Sequence, residues 1–548
     1  MKTALRFIHL FMFFGGILLV MLLIAVISQS KHINLFLNAD TLYLPSIYLD
    51  VFVHGTGIKG WHLNASPNFF PDMIIHMGLM GILKETALTS LVFSIIQFGS
   101  LMVLIYFVVK TWDPEAGIET HIMTGMMVLL FLVSPVLGED PLIAFILLVP
   151  AYHCGFFLNS LLAMITGMLY LRSGKIPMLI VTGVVTMLAV LSDRIFLIGF
   201  VFPLFILMLL SVIRNFREHR YYVLFAVTLV SSLLGMWIFK IISDGGYVVI
   251  IGPGWKMFNF SNMGASFHNL IDHMVLIIKE RPVQRWSVIL PLIFMLAAPV
   301  YLFRYLGSYL KDQLKQDHKK QFTLILILFV FSIAIFFTPV INGSYLGPAH
   351  IRYNFPALVM GSVGFVYLLI LQLKRFSSFH QISGYFIIGL SLGLVVLIVV
   401  AGIAQNGPKG IREYVNYYPV RSQILDRLKD PHGLKYGIAG YWDAKHATIF
   451  SQNDVRVYSV HEVDLKPYYH ATNENWYHDG GKGVHANPVF NFIYTYAGSD
   501  TNEKLIEVFG HQLDTIYAKD EVMVIKLPEF KIDRTTRRMI PIGQVVGD

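Results

Sequence analysis

Asp40 and Asp50 lie in NADTLYLPSIYLD, residues 38–50, about ten residues beyond a nearly unbroken apolar run. A carboxylate in that place has three uses: general base, metal ligand, or cap of the helix that TLYLPS begins. Asp-Thr ahead of an apolar periodic run is a good N-cap signature. Glu139-Asp140 follows LVSPVLG and precedes PLIAF. Adjacent acids there suit a divalent cation or substrate positioning, or are solvated turn residues before Pro141. Asp193-Arg194 occupies a minimal connection between two apolar runs. It reads as an ion pair or cap, or as groups that orient a phosphate. In GPAHIRYNFPAL, residues 347–358, Arg352 offers a permanently charged planar fork suited to phosphate oxygens, with Tyr353 beside it. His350 reads as a polar boundary residue. His446, His461, His470, His478 and His485 follow no zinc spacing and are discounted as ligands. No P-loop, strand-linked GxGxxG, GxSxG or nucleic-acid motif occurs.

The elements that must position these groups are membrane-length. Of 548 residues, 55% are hydrophobic and 14% charged, with mean hydropathy +0.62. Soluble domains carry roughly a quarter charged residues, so the expected fold is mainly α, a polytopic membrane bundle. Eleven apolar runs are expected to span: 7–28, 86–109, 121–137, 155–171, 176–191, 195–213, 221–240, 287–306, 322–340, 355–373 and 382–403. A shorter apolar piece, 141–151, reads as re-entrant. Lys and Arg gather in alternate connections: Lys110, Arg172, Lys175, Arg214, Arg217, Arg220, Lys311, Lys315, Lys319, Lys320, Lys374 and Arg375. The positive-inside rule therefore places these and the N-terminus in the cytoplasm of a bacterial inner or plasma membrane. Asp40, Asp50, Asp72, Glu139, Asp140, Asp193, Arg194 and Arg352 then face outward. A single cysteine, Cys154, excludes an intrachain disulfide.

Two external loops and a tail complete the organisation. Loop 29–85 combines TLYLPSIYLDVF, whose Leu42, Tyr43, Ile47 and Phe52 form an apolar face fit to lie along a membrane, with turn-rich sequence around Trp61, Phe69 and Phe70. Loop 241–286 includes IGPGWKMFNF, with Lys256. Residues 1–403 form the membrane domain, and from 404 to 548 the composition becomes that of a small external α/β domain. Its strands are KYGIAGYW, VRVYSV, LDTIYA and DEVMVIKL, and DAKHATIFSQ is its helix.

In this layout, and in NADTLYLPSIYLDV, FFPDM, SDRIF, RYNFP and GYWDAKHATIFS…VRVYSV, the chain resembles the GT-C superfamily of polytopic glycosyltransferases. That superfamily includes protein O-mannosyltransferases, the lipid A aminoarabinose transferase and oligosaccharyltransferase. The chain lacks the consecutive Asp-Glu pair of the first group and the WWDYG-type motif of the last, so subfamily, acceptor and metal use stay open. The resemblance implies a polyprenyl-phosphate sugar donor and a glycan, lipid or protein acceptor. It implies Asp40 as base and Glu139 and Asp140 as positioning groups, with a Mg or Mn ion as the possible cofactor. Arg352, with Arg194 or Lys256, would stabilise the departing phosphate, and Asp72, Asp193 and Tyr353 would contact substrate. Trp61, Phe69, Trp442 and Trp476 would stack on sugar faces. The competing classes are a transporter or flippase, against which the clustering of charges at helix ends speaks, and a scaffold with a glycan-binding external domain.

Overall fold

The computed structural model describes residues 32–133, 142–251, 259–374, 412–478, 483–510 and 513–542. The runs 7–28 and 382–403 lie outside these residues, as do Glu139, Asp140 and Lys256. Among the described residues, seven helices are long and apolar enough to cross a membrane: Thr86–Trp112, Cys154–Ser173, Leu197–Arg214, His219–Asp244, Gln284–Leu310, Gln316–Ile341 and Phe355–Leu373. Ile118–Val133 and Ile176–Ser192, also expected to span, are helices of 16 and 17 residues. The piece read as re-entrant is a short helix, Leu142–Leu148, buried within the bundle. Gln97 anchors its end by donating to the carbonyls of Leu147 and Val149, both at 2.9 Å.

Local chemistry explains why these helices pack. Hydroxyls inside the apolar segments satisfy themselves on the preceding turn, as Ser94 does on Ser90 and Thr228 on Leu224, both at 2.8 Å. Where Phe355–Leu373 crosses Gln284–Leu310, Gly361 faces Pro291 and Gly364 faces the ring of Phe294. A Cβ at either glycine would collide, so close helix approach depends on their lacking one.

The C-terminal strands form a sheet in the order Arg456–Val460, Tyr436–Gly440, Phe490–Tyr496, Val522–Ile532, Asp514–Lys519, with Met539–Pro541 added to Val522–Ile532. The first three are mutually parallel and the rest antiparallel. The strand Tyr436–Gly440 runs straight into the helix Tyr441–Ile449. Its carboxyl end is therefore where a parallel sheet presents ligand-facing groups.

This sheet does not stand apart from the first loop. Trp61–Asn64 pairs in parallel with Val248–Ile251 and antiparallel with Thr472–Asn473, knitting both long loops to the C-terminal segment. One hydrophobic core holds Tyr43, Leu44, Ile47, Trp61 and Val248 together with Tyr458, Trp476 and Phe490. The helix begun by TLYLPS accordingly turns Leu42, Tyr43 and Ile47 into protein, while Phe52 is exposed. Its apolar face has a protein partner, because the C-terminal segment covers it.

Candidate active site at one end of the helix bundle

Antiparallel helices bring remote residues to one end of the bundle. Tyr152 and His153 precede Cys154–Ser173, Asp193 and Arg194 follow Ile176–Ser192, and Asn342 follows Gln316–Ile341. Arg352 and Tyr353 precede Phe355–Leu373. These residues line a cavity of about 340 Å³, together with Asp40, Ser66, Asn68 and His470.

Asp40 is held from two sides. Tyr152 donates to one oxygen at 3.1 Å and Tyr441 to the other at 2.5 Å. Burial, with the charge of Asp40 next, pushes both phenols up, so they remain donors. Asp40 does not cap the helix Tyr43–Tyr48, which begins at Leu42 without a side-chain cap; Asn38 accepts the Thr41 amide at 3.0 Å in the turn before it. Lys445 donates to the Ala39 carbonyl at 3.1 Å and lies over the Tyr441 ring, 4.3 Å from its centroid. Burial lowers Lys445 to about 7 against the pull of Asp40. His470 stands 3.9 Å from Asp40. Burial lowers its pKa, as do Lys445 and Arg352. The C-terminal segment thus supplies one wall around Asp40.

Arg352 completes an arc across the cavity. Its guanidinium lies 5.8 Å from the Tyr152 ring centroid and 5.2 Å from that of Tyr353. Its Nε is buried without a hydrogen-bond partner among the described residues, and Nη2 donates to the Tyr353 hydroxyl at 3.4 Å; the charged fork lines the cavity, where it suits an anion. The ring of Tyr353 continues the arc to His153, at 4.8 Å between centroids. His153 Nδ1 meets Asp193 at 2.5 Å, and Asp193 also accepts from the Ser66 hydroxyl at 3.0 Å and the Ile195 amide at 3.1 Å. With Nδ1–H committed to the carboxylate, Nε2 of this cavity-lining imidazole is the proton-accepting atom. Asp193 therefore pairs with His153, while Arg194 stacks on Phe239 at 4.3 Å.

Several expected site residues lie elsewhere. Asp72 is fully buried behind the cavity wall, accepting the Ala151 amide at 3.1 Å, with its other oxygen unpartnered. Burial, aided by the Asp193 charge and opposed by that amide, pushes Asp72 up to about 7. Trp61 and Trp476 are buried edge to face, 5.3 Å apart, and so present no face to a sugar. Both donate to Asp50, at 3.1 and 2.8 Å. Trp442 is exposed and Phe69 partly buried, both outside the cavity lining.

Among the described residues, Asp50, His54 and His485 alone group as a metal site would. The two oxygens of Asp50 already accept from Trp61, Trp476 and His485, and Arg456 reaches His54 Nε2 at 3.4 Å. His54 Nδ1 lies 3.8 Å from Asp50 with no hydrogen-bond partner among the described residues, so Asp50 is held by the two indoles and His485. Within the cavity, each oxygen of Asp40 and Asp193 accepts from a protein donor and keeps a further lone pair.

Tyr152, His153, Tyr441, Lys445 and His470 were not singled out from sequence. Spacing tests applied to histidines probe metal ligation and say nothing about acid–base use. His153 had a usable signal, since it sits just before a span at the end where Asp193 follows one. No family model matches the chain, and no curated protein matches it.

Proposed function

We propose that the protein is a membrane glycosyltransferase of GT-C type that moves a sugar from a polyprenyl-phosphate donor to an acceptor hydroxyl at the extracytoplasmic face. The observation that carries this reading is that Asp40 and Arg352 line one cavity at the ends of apolar helices. A lipid-borne phosphosugar meets such a place with its tail between helices and its head in the cavity.

The chemistry follows from the groups present. The acceptor hydroxyl loses its proton to Asp40 as its oxygen bonds to the anomeric carbon. The bond from that carbon to the phosphate oxygen breaks, and polyprenyl phosphate leaves with the electron pair. Each Asp40 oxygen accepts one phenol, and a carboxylate oxygen has a second lone pair for the substrate proton. Arg352 answers the charge growing on the phosphate, a contribution of about 3 kcal/mol for one well-placed donor. His153 with Asp193 offers a second proton-accepting atom, Nε2, that can hold the acceptor hydroxyl in line. No nucleotide-binding motif is needed, because the donor brings its own leaving group.

Mass spectrometry of lipid-linked sugars and surface glycans tests the proposal, comparing cells with the gene, without it, and with Asp40→Asn at equal protein level. Loss of one glycan and accumulation of its lipid-linked donor in both altered strains supports transfer. Unchanged glycans with Asp40→Asn would favour a scaffold. Asp40-dependent vesicle uptake without a glycan change would favour transport.

A further inference from the structure

The helices that carry the cavity at one end carry a second cavity at the other. Cys154–Ser173 is 20 residues long, so the two ends are separated by roughly 30 Å at 1.5 Å per residue. The second cavity, about 790 Å³, is lined by Arg172, Arg214, Arg217, Arg220, Lys319 and Lys320, with Glu218 as the acidic group among its lining residues. Some of this charge is answered. Arg214 pairs with Glu218 at 2.6 Å, Lys319 reaches Asp312 at 2.7 Å, and Lys320 reaches Asp317 at 2.9 Å.

Arg172 and Arg220 are bound differently. Arg172 donates to the Trp112 carbonyl at 2.9 Å, and Arg220 to the carbonyls of Leu171 and Arg172 at 3.0 and 3.1 Å. The carbonyls place both guanidiniums without neutralising them, while the Asp113 carboxylate lies near enough to Arg172 to favour its charge. Gly174, with φ +68°, makes room: a Cβ there would sit 3.0 Å from Arg220 Nη2. Met168 and Leu171 line the basic cavity beside its charges, and they also line a narrow apolar crevice of about 10 Å³ with Leu204, Leu207 and Leu224. Basic groups with apolar side chains at their edge match an amphiphile with a phosphate head.

We propose that this cavity binds the phosphate headgroup of an anionic lipid, with the first part of its tail against Met168 and Leu171. Positive charge at this end would by itself set orientation, but orientation alone needs neither guanidiniums held on backbone carbonyls nor apolar residues lining the same cavity. The site is independent of the chemistry assigned to the Asp40 cavity.

The test is native mass spectrometry of the purified full-length protein with phosphatidylglycerol or phosphatidylcholine of equal chain length, and separately with glycerol phosphate. The wild type is expected to retain the anionic lipid at least tenfold over the zwitterionic one. Arg172→Gln with Arg220→Gln should abolish that preference. Lys311→Gln with Lys315→Gln, altering exposed residues outside the cavity lining, should keep it. Leu171→Trp, crowding that apolar edge, should lower lipid retention and leave glycerol phosphate binding unchanged. Equal retention of both lipids, or equal loss in the lysine variant, overturns the site. Glycerol phosphate bound as tightly as the lipid overturns the lipid assignment in favour of a soluble phosphate.

Discussion

Replacing Asp50 by alanine tests whether the first loop and the C-terminal segment form one unit. Asp50 accepts from Trp61 Nε1 at 3.1 Å, Trp476 Nε1 at 2.8 Å and His485 Nε2 at 3.0 Å. The donors are buried, at 0, 6 and 3% exposure, so no water replaces the lost acceptor. A buried donor left unpaired costs roughly 1–3 kcal/mol, so three cost about 3–9 kcal/mol. A unit of 150–250 residues loses about 2–4 °C per kcal/mol, which places the fall in Tm at roughly 6 °C or more. The assay is thermal unfolding of the detergent-solubilised chain, followed by near-ultraviolet circular dichroism of the tryptophans. Burial pushes Asp50 up, but the hydrogen bonds from His485 and Trp476, with His54 close by, outweigh it and hold the carboxyl below its usual range. The stability linked to its ionisation is therefore present above the ordinary carboxylate pKa and lost as pH falls through the depressed one. The deficit of the variant should narrow in strong acid. Adding Trp61→Phe and Trp476→Phe should recover part of the loss, because both sides of the bonds are then gone. An unchanged Tm for Asp50→Ala, or no recovery in the triple variant, would refute the reasoning.

Three further outcomes follow from the site. On the proposed mechanism Arg352→Gln should lower transfer about a hundredfold with the protein still folded, since the charged fork lining the cavity would face the departing phosphate; a loss under about threefold would remove it from the mechanism. His153→Gln should lower turnover by about 10²-fold or more at an unchanged melting temperature, with Asp193→Asn acting in the same direction. Unaltered turnover would leave the pair structural. Asp72→Asn concerns stability: an acid raised from 3.8 to about 7 makes the wild type lose stability as pH climbs between those values. At about 1.4 kcal/mol per pH unit the interval sets an upper size of about 4 kcal/mol. The Asn variant should gain on the wild type between pH 5 and pH 8 by up to about 3 kcal/mol, the share of that interval lying above pH 5, and no gain in parallel melts would contradict it.

Much of the bundle was legible because transfer into hydrocarbon is written residue by residue: 18 or more apolar residues are visible without knowing their neighbours. Strands such as Arg456–Val460 were visible for a similar reason, since alternation is local. What pairs across hundreds of residues was not. NADTLYLPS reads as a cap and a membrane-surface helix because its neighbours in sequence are apolar, yet its actual partners are Tyr441, Lys445 and the core around Trp476. Trp61 and Trp476 looked like sugar platforms because an aromatic carries no mark of burial. The Asp193–Arg194 doublet suggested an ion pair by adjacency, while the partner chosen was His153, brought near by two antiparallel helices. Asp40 and Arg352 could be singled out from sequence because a charge at a helix end is costly without use.

The most direct measurement uses purified protein in lipid nanodiscs with a synthetic polyprenyl-phosphate sugar labelled in the sugar, and a crude acceptor fraction from the same membranes. The account predicts label transfer with stoichiometric release of polyprenyl phosphate by the wild type, reduced at least about a hundredfold in Asp40→Asn. Release that proceeds equally in both proteins, or a wild type that leaves the donor intact with every acceptor fraction while remaining folded, would contradict it.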